Sequence, residues 1–246
     1  MTEAPWPATE HVLIFGLSAN PVHQGHIDVL TGVLTGLREL GYKIEAALIL
    51  PVYRRNPTGT RKDTLPETYE QRVAMCELAA QEVNRVQTAV PVKVSRIEAQ
   101  LVQCGTSPNY TAETLTYLKK HELTGKALMF VVSSQLLYGA DPEFSHWHQV
   151  ETILHAATLV VCPRPGFPIN QDYIQTLYAR GGKVIVLRDV KTRDISSTQV
   201  RQRLAQGENP LTLAEEGVMP TSIAHYLVKH NMYQDASGHK KGLYHH

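Results

Sequence analysis

Apolar positions along this chain follow two alternating rhythms. HVLIFG (11–16) is a short, almost wholly apolar run that ends at Gly16 and a polar, proline-containing loop, which predicts a buried strand. From Gly25 onward Ile27, Leu30, Val33, Leu34 and Leu37 recur at three- and four-residue spacing, and Gly41 follows. That is an amphipathic helix with a glycine stop. KIEAALILPV (43–52) reads as the next strand and PETYEQRVAMCELAAQEV (66–83) as the next helix, with Pro66 near its start. The alternation continues through VPVKVSRIE, a helix over 111–121, KALMFVVSS, a helix over 146–156, TLVVCPRP, a helix over 171–180 and KVIVLR, and two helices close the fold. Strands that are apolar throughout and alternate with helices belong in a parallel sheet covered on both faces. With about six of them, the expected architecture is α/β, an open doubly wound parallel sheet.

The pattern shows no repeat, low-complexity linker or composition break. The expected organisation is therefore an N-terminal extension over 1–10, a single domain over 11–234 and a mobile polar tail over 235–246. Of the 246 residues 43% are hydrophobic, enough for a sizeable core, and 24 Lys and Arg against 23 Asp and Glu leave a net charge of +1. A nucleic-acid binder needs a basic surplus to neutralise phosphates, so nucleic acid is not an expected partner. Cys76, Cys104 and Cys162 lie far apart, with no C-x-x-C pair and an odd count. That usage fits a reducing cytoplasm. The first residues lack the basic and apolar regions of a secretory signal, and no apolar run approaches the ~18 residues of a membrane span, so no membrane is expected.

In such sheets ligands bind beyond the carboxyl ends of the strands, which directs attention to GLSANPVHQGHIDVL (16–30). Gly16, Ser18 and Asn20 lead into a turn at Asn20-Pro21, and Gly25 stands at a helix mouth where phosphate oxygens could approach backbone N–H groups. His23 and His26 flank that glycine, so both can face the same side of the helix entrance. The positive helix end disfavours imidazolium until phosphates arrive. Structural or surface roles are the commoner fate of a histidine, but this position favours an anion site. A zinc site is the weaker alternative, because no Cys or Glu partner lies nearby. RDISSTQVRQRL (193–204) supplies a second constellation: Ser196, Ser197 and Thr198 offer hydroxyls and a helix cap, and Arg201 lies one turn on. Standing alone it would be an ordinary cap with a solvated arginine; beside the first it reads as a second phosphate cradle.

These H-x-G-H and I-S-S-T-x-x-R segments resemble the nucleotidyltransferase superfamily, and more narrowly the nicotinate or nicotinamide mononucleotide adenylyltransferases. The resemblance runs over about residues 11–233. It takes in ILPVYRRNP, Arg72, NYTAETL (109–115), Trp147, VVCPRPGFP and MPTSIAHYL. It implies a Rossmann-like nucleotidyltransferase fold and direct transfer of AMP from ATP to a pyridine mononucleotide with release of pyrophosphate, in NAD biosynthesis. It further implies that His23 and His26 hold the α/β-phosphates and that Ser197, Thr198 and Arg201 hold the β/γ-phosphates. Mg²⁺ would be carried by ATP rather than by protein ligands. Arg55, Lys62, Tyr110, Thr111, Trp147 and Arg164 would bind the mononucleotide, with Trp147 stacked on the pyridine ring unless it is simply a core tryptophan. A helix start at Tyr110-Thr111 would favour the nicotinate carboxylate modestly over the amide, opposed by Glu113 if that side chain turns inward.

The chain departs from the family in two places. Where the family has G-A-D after its fourth strand, this sequence has Ser133-Ser134-Gln135, and Gly139-Ala140-Asp141 follows six residues later. The family's P-P-H-K loop is replaced by Arg54-Arg55-Asn56-Pro57, with Lys62 nearby. The altered G-A-D segment keeps two rivals in view. One is a related adenylyl- or cytidylyltransferase acting on another phosphorylated acceptor, such as phosphopantetheine or an alcohol phosphate. The other is a non-catalytic nucleotide-binding regulatory protein. A class I aminoacyl-tRNA synthetase is set aside for want of a K-M-S-K-S-like loop. The pattern leaves room for a homo-oligomer.

Overall fold

The computed structural model describes residues 10–53, 67–105 and 110–233. Among them six parallel strands form one sheet: β1 (His11–Leu17), β2 (Ile44–Pro51), β3 (Val92–Val94), β4 (Ala127–Ser133), β5 (Ala157–Cys162) and β6 (Val184–Val186), in the order β3-β2-β1-β4-β5-β6. The helices are α1 (Gln24–Glu39), α2 (Tyr69–Val86), α3 (Ile97–Gln103), α4 (Thr111–Tyr117), α5 (Val150–Ala156), α6 (Gln171–Ala179), α7 (Ser197–Ala205), α8 (Pro210–Glu215) and α9 (Thr221–Lys229).

The period-two geometry of a strand sends alternate side chains to opposite faces, and two cores result. Leu13, Phe15, Ala47, Ile49, Met129, Val131 and Val160 pack against α1, α2 and α7–α9. Val12, Ile14, Leu50, Leu128, Phe130, Val132 and Leu159 pack against α3–α6. Strand order reverses between β1 and β4, and the crevice beyond their carboxyl ends is where open sheets of this kind generally receive a ligand. None of the described helices is long and apolar enough to cross a membrane. Cys76 and Cys162 are buried and Cys104 is exposed, all three as free thiols; burial pushes the first two up to about 12.

Several elements differ from the sequence expectation: the helix expected over 66–83 runs Tyr69–Val86, and the one expected over 111–121 is α-helical only to Tyr117 and continues as a π-helical turn over Leu118–Glu122. The strand expected in VPVKVSRIE ends at Val94, because Ile97, Ala99 and Leu101 turn their apolar side chains into the sheet from the short helix α3. The helix expected over 146–156 begins at Val150; residues ahead of it form a 3₁₀ turn at Glu143–His146, and Gln149 sits at φ 52°. Three helices rather than two close the fold, since Asn209 caps and Pro210 starts a separate α8. Residues 1–9, Arg54, Arg55, Lys62, Asn109 and the expected tail lie outside the described residues.

Candidate active site at the reversal of strand order

The loop after β1 is built tightly. Gly16 is exposed within an otherwise buried strand, and a Cβ added there would make only an ordinary 3.7 Å contact with Phe130. Packing does not demand glycine at this place; its effect is to keep the crevice floor bare. Gly25 is different: a Cβ there would lie 3.1 Å from two atoms of the His23 ring. The glycine expected to admit phosphate therefore also makes room for an imidazole.

His23 and His26 do face one another, with ring centroids 3.8 Å apart. The His23 backbone N–H donates to His26 Nδ1 at 3.1 Å, and His26 N–H donates to the His23 carbonyl at 3.0 Å. Because Nδ1 accepts, the neutral His26 ring carries its proton on Nε2, a donor directed away from the backbone. Burial, then the Arg164 charge, hold the His26 pKa down at about 4. Burial, then His26 and Arg164, depress His23 further. Both rings are thus neutral before a ligand arrives, and His23 Nδ1 is buried without a hydrogen-bond partner among the described residues. Buried polar atoms are rarely left so. At the α1 entrance the Gln24 N–H is already taken by Val218 O at 2.9 Å. Side-chain donors therefore carry more of an anion site here than the sequence pattern suggested.

The second constellation docks directly onto the first. Ser197 Oγ donates to Pro21 O at 3.0 Å, and Arg201 Nη1 donates to Asn20 O at 2.6 Å. Arg201 Nη2 also reaches Thr198 Oγ1 at 3.2 Å. Ser196 caps α7, accepting from Gln199 N–H and donating to Gln199 Oε1. The hydroxyls of Ser196 and Ser197 are thus turned to protein acceptors, while Thr198 is exposed and Arg201 is partly buried between α7 and the loop after β1.

Two residues outside these segments hold the crevice in shape. Arg72 is 1% exposed and donates to Ser18 O, Val52 O and Tyr53 O, tying the ends of β1 and β2 together. Ser134 is fully buried; it donates to Phe167 O at 2.7 Å and accepts from Arg164 N–H at 2.9 Å. The segment that replaces the family's G-A-D therefore anchors the loop that carries Arg164. Asp141, in the displaced Gly139-Ala140-Asp141, lies on an exposed turn and bonds His146 Nε2 at 2.6 Å.

Farther along, Trp147 is half-buried against Phe144 and Phe130, at 5.2 and 6.3 Å between ring centroids. Tyr110 stacks on His148 at 4.1 Å, and His148 lies 3.7 Å from Glu113. Thr111 opens α4 and is partly exposed. Glu113 has turned inward: its carboxylate accepts the Tyr110 N–H at 2.8 Å. The helix start offered to a nicotinate carboxylate is therefore occupied by the protein's own carboxylate. Glu98, on the unexpected α3, accepts Tyr53 N–H at 2.9 Å, and burial raises its pKa to about 7. No group of three or more His, Cys, Asp or Glu side chains among the described residues is arranged to hold a metal.

Residues 14–203 match the model of the cytidylyltransferase-like family. The probable nicotinate-nucleotide adenylyltransferase of Shewanella pealeana is 31% identical, over 92% of this chain and 97% of its own. That of Hydrogenovibrio crunogenus is 29% identical, over 90% and 96%. Among solved structures, the Plasmodium falciparum nicotinic acid mononucleotide adenylyltransferase complexed with NaAD superposes with a TM-score of 0.67 at 16% identity, covering 91% of this chain and 97% of its own. That likeness is one of fold.

Proposed function

Since the chain belongs to the nicotinate-nucleotide adenylyltransferase family, within the cytidylyltransferase-like group, we propose that it transfers the AMP moiety of ATP to nicotinate mononucleotide and releases pyrophosphate. A phosphate oxygen of the mononucleotide attacks the α-phosphorus of ATP, a new P–O bond forms, and the bond to the β-phosphate bridging oxygen breaks. The attacking oxygen is already anionic, so no protein nucleophile is required and the protein's task is alignment and charge neutralisation.

The observation that carries this reading is the bond between the two cradles: Arg201 and Ser197 close on the carbonyls of Asn20 and Pro21, so that groups 176 and 181 residues apart frame one crevice. His26 offers its Nε2–H to an α-phosphate oxygen. Approaching polyphosphate reverses the electrostatic balance around His23 and His26, which are neutral beforehand and gain stability as cations against it. Arg164 lies near enough to depress both histidines and adds a fixed positive charge on the same side. Arg201 and Thr198 serve the β/γ-phosphates and the departing pyrophosphate. Mg²⁺ enters with ATP as part of the substrate and neutralises triphosphate charge. Trp147, half-buried beside Phe144 and Phe130, stacks on the pyridine. Arg55 and Lys62 belong to this reading by sequence alone. Free Cys76, Cys104 and Cys162 support a reducing cytoplasmic setting.

The preference for the acid rests on the relatives and not on the α4 start, where Glu113 sits. The test is purified protein with ATP and Mg²⁺, offered nicotinate mononucleotide, nicotinamide mononucleotide, phosphopantetheine or an alcohol phosphate with CTP. Pyrophosphate release should be fastest with the nicotinate nucleotide. A tenfold larger kcat/KM for the amide overturns the acid preference, and turnover confined to another acceptor overturns the reading.

A further inference from the structure

The chain returns to the nucleotide loop at the far end of its described residues. Tyr233, beyond α9, is 4% exposed, and its hydroxyl donates to Asn20 Oδ1 at 2.8 Å across 213 positions of sequence. The same Asn20 presents its backbone oxygen to Arg201 at 2.6 Å. On either side, Ser18 O is held by Arg72 at 3.0 Å and Pro21 O by Ser197 at 3.0 Å. Between these held carbonyls Ala19 sits at φ 53°, in the left-handed region that costs a side-chain-bearing residue energy. Such a conformation persists where its surroundings over-determine it, and here α2, α7 and the C-terminal turn each supply a bond. That turn is itself strained, with Asn231 at φ 48° and Tyr233 at φ 64°. Strained backbone thus stands at both ends of one buried hydrogen bond. The ring lies in the field of Glu67, Arg201 and Arg72, at the junction of the groups that shape the crevice.

A buried tyrosine needs a partner for its hydroxyl, and a distant core amide would satisfy that need. Here the partner is the residue whose carbonyl sets the direction of Arg201. We propose that Tyr233 is a positioning residue for adenylyl transfer: through Asn20 it fixes the carbonyl that aims Arg201 at the triphosphate, making the C-terminal turn part of the nucleotide site. This rests on the reading of Arg201 as a triphosphate ligand.

The experiment is a double-mutant cycle on the full chain with Tyr233→Phe and Arg201→Ala, after denaturant titration has shown each protein folded at the assay temperature. Tyr233→Phe should lower kcat by about tenfold, the size expected for releasing one aimed charge-assisted contact, while the KM for the mononucleotide changes less than about threefold. In the Arg201→Ala background the same change should cost less than about twofold, because no guanidinium remains to be aimed. A Tyr233→Phe enzyme with unchanged kcat per folded molecule, or losses that multiply, overturns the proposal. Asn20→Ala breaks the same bond from its other end and covers the case in which Tyr233→Phe does not fold; independent losses against Arg201→Ala overturn the proposal there too. ATP affinity by calorimetry on the same proteins separates the two readings. If the wild type binds ATP but turns over no mononucleotide, the activity reading fails, and the Tyr233–Arg201 coupling in ATP affinity still decides this one.

Discussion

His26 and Glu98 should give the folded protein two opposite pH dependences, and replacing either should expose the other. His26 titrates near 6.5 when unfolded and at about 4 in the fold. Between those values the unfolded chain binds a proton that the folded chain refuses, so stability falls as pH drops from 6.5 toward 4. At pH 5 the difference amounts to about 2 kcal/mol, and at pH 7.5 to almost nothing. Glu98 moves the other way, from 4.5 to about 7. The folded state keeps a proton that the unfolded state releases, which stabilises by roughly 2 kcal/mol at pH 5 and is lost as pH rises through about 7. In the wild type the two nearly cancel. His26→Asn preserves an oxygen to accept the His23 N–H, and Glu98→Gln preserves one for the Tyr53 N–H. Urea unfolding at pH 5 and pH 7.5 should show His26→Asn gaining about 2 kcal/mol on the wild type at the lower pH, and Glu98→Gln losing a similar amount. His23, still present in both variants, keeps its own contribution of the same sign as His26. If the His26→Asn difference is the same at the two pH values to within about 0.5 kcal/mol, the neutral, desolvated imidazole described here is wrong.

His26→Ala should retain its fold and lose about 10²–10³ in kcat, the usual cost of one donor aimed at developing charge, and near wild-type turnover would remove His26 from the mechanism. Gly25→Ala should leave unfolding free energy within about 1 kcal/mol of the wild type, since alanine suits a helix, yet lower kcat by about tenfold because the new methyl group must displace the His23 ring. Incubation with ATP and Mg²⁺ alone should leave the intact mass unchanged, as neither cradle places a lysine or cysteine to attack; a stable gain of one AMP would replace direct transfer with a covalent route.

The strands and the two cradles were legible because each is a local pattern: apolar runs for β1, β2, β4 and β5, and glycine, histidine and hydroxyl residues at two helix mouths. What connected them was not. Nothing in the spacing of Ser197 or Arg201 says that they bond Pro21 and Asn20, and a lone Tyr233 after the last helix carries no signal at all. Ser134 looked like a departure from a motif and proves to be the anchor of the Arg164 loop, which only tertiary contact reveals. Helix α3 was hidden because seven residues beginning Ile97-Glu98 are too few to separate a helical period from a strand ending. Glu113 offered two orientations on paper, and the helix dipole with the Tyr110 N–H chose the inward one.

The distribution of thiols turns the native chain into its own reporter. Alkylating dyes react with thiolates, and Cys76 and Cys162 are both buried and held up at about 12, so neither competes under mild labelling conditions. Exposed Cys104 directly follows α3, the helix whose Glu98 grips the backbone at Tyr53 where β2 runs out. A single fluorophore attached there, with no engineered cysteine and none removed, sits one short helix away from the bond between Glu98 and the Tyr53 N–H. Its emission would report changes around that bond in real time as each substrate is added.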